Sequence, residues 1–118
     1  VRVANSGLPY PLHYRAGSGE AVPLTVSGLP LGTFDNVEYD EISVELAPGD
    51  VFLFFSDGIT EALRGHEEYG VKRLGRGLET HGALPARALG EALMADLGGF
   101  VGSRAWTDDA TLVVVKVL

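Results

Sequence analysis

The sequence predicts an α+β fold in which antiparallel strands are packed against helices, and three observations carry that expectation. Residues 1–55 are divided by Gly- and Pro-containing turns into short extended pieces. Beyond Gly58 the apolar spacing becomes helical, and the chain closes on the consecutive apolar run Leu112, Val113, Val114, Val115. With 118 residues and 46% hydrophobic content, the default is one domain burying about two-thirds of its unfolded surface.

Residues 1–4 alternate as a strand and end in the turn chemistry of Asn5, Ser6 and Gly7. Residues 10–15 follow Pro9 and contain Pro11, which marks an edge or irregular strand. The run Gly17-Ser18-Gly19-Glu20 reads as a hairpin into a third strand over residues 21–24. Residues 28–32, Gly-Leu-Pro-Leu-Gly, suggest a fixed loop pinned by its two leucines. Residues 38–46 set Ile42, Val44 and Leu46 against Ser43 and Glu45, a half-wet strand. A turn at residues 47–50 would pair it with the next strand.

That next strand organises the chain. Residues 51–55, Val-Phe-Leu-Phe-Phe, are apolar on both faces, so the strand should be central and rigid. Ile59, Ala62 and Leu63 then share a helical face, and residues 64–70 read as polar and flexible. Helices are expected over residues 71–80 and 85–97, with Pro85 in a first turn, Leu89, Leu93 and Leu97 on one face, and Gly98, Gly99 and Gly102 ending the second. Residues 110–118 should form a strand buried on both faces.

Nine basic against 16 acidic residues leave a net charge of −7, which argues against nucleic-acid binding and permits binding of cations. The absence of cysteine excludes a disulfide framework and a thiolate metal site, and makes a cytoplasmic protein the simpler reading. No apolar run approaches the roughly 18 residues that cross a bilayer. The opening Val-Arg-Val-Ala-Asn-Ser-Gly reads as the continuation of a longer chain, which leaves a membrane-anchored sensor upstream open.

Asp57 follows one doubly apolar strand, whereas Asp108 and Asp109 precede another. If the two strands are antiparallel neighbours, these carboxylates meet at one edge of the sheet. Like charges beside apolar strands are unfavourable, so a hard divalent cation would fit there. The competing reading makes Asp57 a helix cap and Asp108-Asp109 a solvated turn. His13, His66 and His81 share no spacing and read as surface residues, although His66 and Arg64 lie in the loop nearest the acidic edge. Arg64 there could touch a phosphorylated substrate, and Trp106 reads as a packing anchor.

Three motifs in order sharpen this: Asp57-Gly58-Ile59-Thr60-Glu61-Ala62, then Glu68-Tyr69-Gly70 with Arg73-Leu74, then Asp108-Asp109-Ala110-Thr111-Leu112. Together they resemble the C-terminal half of a PPM-type metal-dependent serine/threonine phosphatase domain, in the bacterial stage II sporulation protein E and RsbU branch. The resemblance implies an antiparallel β-sandwich flanked by helices, α-β-β-α, of which this chain is a partial domain. It implies that Asp57 and Asp108 ligate Mn²⁺ or Mg²⁺, with Asp109 joining through water, in a two-metal site completed by residues absent here. Residues 5–11 resemble an Asn-Ala-Gly-His-Pro-Pro-Pro segment, with Leu8 in place of histidine and Tyr10 in place of a proline. The implied activity is hydrolysis of phosphoserine or phosphothreonine on an anti-sigma-factor antagonist, under an upstream sensor or regulatory domain. The fragment alone is expected to be inactive. The alternative is a non-catalytic, degenerate phosphatase fold that binds a signalling partner. Where the missing half belongs, the sheet should expose an apolar face, which a second copy could cover in a homodimer.

Overall fold

The computed structural model describes residues 1–102 and 109–118. Its centre is the strand β5 (Val51–Phe55), third in a four-stranded sheet of order β3-β2-β5-β8 whose registers are all antiparallel. β2 (Leu12–Arg15) and β3 (Glu20–Pro23) form a hairpin, and β8 (Leu112–Lys116) closes the other edge. A separate ribbon pairs β1 (Arg2–Ala4) with β4 (Glu41–Ser43).

The alternation along β5 separates two cores. Val51, Leu53 and Phe55 join Leu12 and Tyr14 under the helices α2 (Gly70–His81) and α3 (Ala86–Val101), where Leu74, Leu78, Leu89, Leu93 and Leu97 are almost fully buried. Each such leucine contributes roughly 1.5–3 kcal/mol of burial. Phe52 faces the other way, into a cluster with Val3, Leu24 and Val26, flanked by Ile42 and Phe54. The layers are therefore ribbon, sheet and helices. Lys116 ties β8 to the end of α2, its Nζ donating to the carbonyls of Gly82 at 2.9 Å and Leu84 at 2.8 Å, a cation where helix carbonyls run out of partners.

Several expectations are corrected. β2 is an interior strand, because Pro9 and Pro11 precede it and their missing N–H groups fall outside the ladder; the Pro11 carbonyl still accepts from Leu24 N at 2.8 Å. The strand expected over residues 38–46 contracts to β4, which pairs with β1 rather than β5, because the hairpin strand β2 already occupies that flank. β8 is an edge strand. Its Val113 and Val115 are about half exposed on the Phe52 face, where the ribbon does not reach, so only Leu112, Val114 and Lys116 turn inward.

The polar stretch after α1 (Asp57–Thr60) is a small hairpin, β6 (Leu63–Arg64) with β7 (Glu67–Glu68), turning at Gly65 with φ +67°. Leu63 therefore lies in a strand, beyond the helical face expected to include it. Gly98 and Gly99 do not end α3, since burial of Phe100 and Val101 carries the helix on to Gly102, and Pro85 stands just before its first turn. Leu29 and Leu31 do not pin their loop: both are exposed, and the loop is held by polar bonds instead. The Ser6 hydroxyl donates to Leu29 O at 3.2 Å and accepts from Leu31 N at 2.8 Å, and the Tyr39 hydroxyl donates to Leu29 O at 2.8 Å. His13 is buried rather than exposed, stacked on Phe52 with ring centroids 4.5 Å apart. His81 is partly covered through its pairing with Asp96 at 3.1 Å. Trp106 lies outside the described residues.

Candidate functional site at the end of the central strand

β5 and β8 run antiparallel with Phe55 opposite Leu112, so the residues after one strand and before the other meet at one end of the sheet. Ser56 extends this pairing past the last ladder position. Its N–H donates to Thr111 O at 3.0 Å, its hydroxyl accepts from Thr111 N at 2.9 Å, and the same hydroxyl reaches Asp109 O at 3.4 Å. Gly58 then passes so close that an added Cβ would lie 1.9 Å from Asp109 O. Only glycine permits this approach, and it places the backbone of Asp109 directly against the first turn of α1.

The structure thus brings Asp57 and Asp109 to the same end of the sheet, both with exposed side chains. Ser56, rather than Asp57, occupies the N-cap position of α1, and it makes no side-chain cap bond. The Asp57 carboxylate has no hydrogen-bond or ion-pair partner among the described residues, so capping does not account for it. Asp108 lies outside the described residues. Among those described, no cluster of three or more His, Asp or Glu side chains could hold a metal. The donors at this end fit a hard cation in kind, being carboxylates. Two carboxylates alone fall short of a complete ligand set.

Beside this end opens a cleft of about 850 Å³, lined by Tyr10, Leu12, Phe55, Thr60, Lys72 and Arg76 among others. It adjoins Phe55 and Thr60, the residues that bracket the turn carrying Asp57.

Arg64 and His66 sit on the β6–β7 hairpin. Arg64 turns to the helical side, its Cζ 4.4 Å from the centroid of the Phe100 ring and its Nη2 3.4 Å from Glu67 Oε2. His66 is exposed at the hairpin turn.

The opposite end of β5 holds a pair that sequence reasoning missed. His13 Nε2 lies 2.9 Å from Asp50 Oδ2, with both side chains about 95% buried. Asp50 also accepts from Ala16 N at 3.0 Å and Ala47 N at 3.3 Å. Burial pushes its pKa up, but the Ala16 N–H, the His13 hydrogen bond, the Ala47 N–H and the His13 charge together hold it below the usual 3.8. The available signal was the period of two along β2, which places His13 between the inward-facing Leu12 and Tyr14 and opposite Phe52.

The comparisons with known proteins agree with this architecture. The family model for stage II sporulation protein E (SpoIIE) matches residues 1–118. No curated protein sequence matches significantly. Among solved structures, the SiaA-PP2C domain of Pseudomonas aeruginosa is similar at TM-score 0.78 and 24% identity, over 98% of this chain and 46% of that one. The PP2C phosphatase domain of SpoIIE from Bacillus subtilis, solved with a fragment of its regulatory domain, is similar at TM-score 0.75 and 22% identity, over 98% and 33%. The RsbU and RsbW domains of a Mycobacterium tuberculosis protein match at TM-score 0.75 and 23% identity, over 98% and 31%. The chain spans less than half the length of these three. The mixed α+β fold, with its antiparallel sheets and helical layer, is that of part of a PP2C phosphatase domain, and the chain belongs to the stage II sporulation protein E family.

Proposed function

We propose that this chain is the C-terminal part of a divalent-metal-dependent phosphoprotein phosphatase, hydrolysing phosphoserine or phosphothreonine on an anti-sigma-factor antagonist-type protein. The observation that supports this most is the stitched end of β5 and β8, where Ser56 and Gly58 lock the Asp109 backbone against the turn that carries Asp57, whose carboxylate has no partner among the described residues. Asp57 and Asp108, with Asp109 joining through water, would hold Mn²⁺ or Mg²⁺ through oxygen. When bound, such a cation supplies Lewis acidity and an activated water. The role of these residues is to present oxygen donors at the tip of a strand fixed on both faces. The remaining acidic ligands are expected upstream, so the chain by itself is expected to be inactive.

A cytoplasmic location and an upstream sensor or regulatory domain complete the reading. The net charge of −7 supports a protein rather than a nucleic-acid partner. Second to this stands a degenerate phosphatase fold that binds a signalling partner. It is favoured by Leu8, an exposed apolar side chain where the resemblance places histidine.

The test is turnover of a phosphopeptide by the full-length parent with and without Mn²⁺. Asp57→Asn is expected to lower the rate at least about 100-fold, the upper end of what losing a metal's supporting residues costs. Undiminished turnover in that variant would remove Asp57 from the ligand set. A parent that binds phosphoprotein but shows no turnover, and whose Tm ignores millimolar Mn²⁺, would establish the second reading.

A further inference from the structure

The β6–β7 hairpin and the facing sides of α2 and α3 enclose a second cleft of about 620 Å³, apart from the carboxylate end of the sheet. Arg64, Arg73 and Arg76 line it, against a single acidic lining residue, Asp96, which His81 already engages at 3.1 Å. This cationic patch runs against the protein's net charge of −7.

The buried ring of Phe100 is its floor. Arg64 Cζ and Arg73 Cζ lie 4.4 and 4.6 Å from the ring centroid, within cation–π range, and Tyr69 meets the same ring edge-on at 5.3 Å. Two like charges sharing one ring repel each other, and Glu67 offsets this by dividing its carboxylate between them. Its Oε1 takes Arg73 Nη2 and its Oε2 takes Arg64 Nη2. The hydrogen bonds from Arg73 and then Arg64 hold the exposed Glu67 carboxyl below its usual value. A paired-guanidinium platform therefore already binds one oxyanion, supplied by its own chain. Arg76 is placed differently. One turn along α2 from Arg73, its guanidinium has no ion-pair partner among the described residues, and it lines both this cleft and the larger one beside β5.

We infer that this cleft docks an acidic segment of a partner polypeptide, whose carboxylate or phosphate oxyanion is received by Arg76 and by the Arg64–Arg73 pair in exchange for Glu67. Guanidinium forks suit both oxyanions, because each presents paired N–H donors in a plane. A polypeptide fits better than a free anion. The cleft exceeds the size of one phosphate, its floor is aromatic, and Gly99 leaves open space above the helix where a chain can lie. None of its residues is a candidate metal ligand, and although the sequence already suggests Arg64 as a phosphate contact, the inference adds Arg73, Arg76 and the exchange with Glu67, and it does not depend on a bound metal.

The experiment is fluorescence anisotropy of labelled Glu-rich and phosphoserine-containing peptides with the full-length parent in EDTA, with inorganic phosphate as competitor. Binding of either peptide is expected to weaken about two- to fivefold in Arg76→Gln, the scale of an exposed ion pair. Glu67→Gln, which removes the internal competitor, is expected to tighten binding by a similar factor, a gain that misfolding cannot produce. Unchanged affinity in both variants, weaker binding in Glu67→Gln, or binding of inorganic phosphate with neither peptide would each overturn the inference. Loss of the phosphatase reading would show separately, as absent turnover in Mn²⁺ while this binding persists in EDTA.

Discussion

The two ends of β5 each set an aspartate beside a glycine, Gly49-Asp50 before the strand and Asp57-Gly58 after it, and the fold treats the two carboxylates in opposite ways. Asp50 is buried, and its oxygens are met by His13 Nε2, Ala16 N–H and Ala47 N–H. Asp57 is exposed, and its carboxylate meets nothing among the described residues. One charge is compensated inside the fold and holds it together. The other finds no compensation among the described residues. Burial and pairing, rather than position at a strand end, separate a structural carboxylate from a candidate functional one.

The sharpest way to break this contrast is Asp50→Ala. Removing that carboxylate strands His13, whose Nδ1 already lacks a partner among the described residues, together with two backbone N–H groups. Breaking a buried pair in this way is expected to cost about 3 kcal/mol, read by urea denaturation. A loss below about 0.5 kcal/mol, the ordinary scale of a surface change, would mean that Asp50 carries no more than a surface residue does. The same variant should change the acid limb. Because the folded Asp50 titrates below its usual 3.8, its stabilisation is complete above that value and is lost as pH falls through the lower, folded one. Asp50→Ala should therefore lose less stability than the native chain on acidification below 3.8.

The next effect belongs to the other end. Gly58→Ala would place a methyl group 1.9 Å from Asp109 O, so the β5–β8 junction must open. Overpacking of this kind is expected to cost about 1–3 kcal/mol. The register Phe55↔Leu112 lies closest to the strain, and faster amide exchange at Thr111 than in native protein would locate it there. Unchanged exchange at Thr111 would mean that the junction does not depend on Gly58.

How much of this was legible in the sequence follows from what each pattern encodes. Val51–Phe55 was readable as central because five consecutive apolar residues leave no wet face. The helical leucines were readable from their spacing. The antiparallel meeting of Asp57 with Asp109 followed once both flanking strands were recognised. The partner of β4 was not legible, since its alternation fixes a face but not a neighbour, and β1, far away in sequence, competes with β5 for it. Burial of His13 was hidden because its compensation comes from Asp50, remote in sequence and placed by a turn. The arginine cleft was half visible through Arg64. The ring that assembles it, Phe100, lies beyond two glycines that read as a helix end.

The smallest expected effect carries the contrast furthest. Asp57→Asn removes a charge from an exposed side chain with no partner among the described residues, so no buried group is left unsatisfied and no cavity forms. Substitutions of that kind usually change stability by less than about 0.5 kcal/mol. Measured by urea denaturation in EDTA, the variant should overlay the native chain, in contrast to Asp50→Ala. If Asp57→Asn instead costs more than about 1 kcal/mol without metal, Asp57 supports the fold as Asp50 does, and the division between the two ends of β5 fails. If it overlays, the carboxylate contributes nothing to folding, and the rigid strand, the close-passing Gly58 and the stitched Ser56 hold in place an acid that the fold itself does not require.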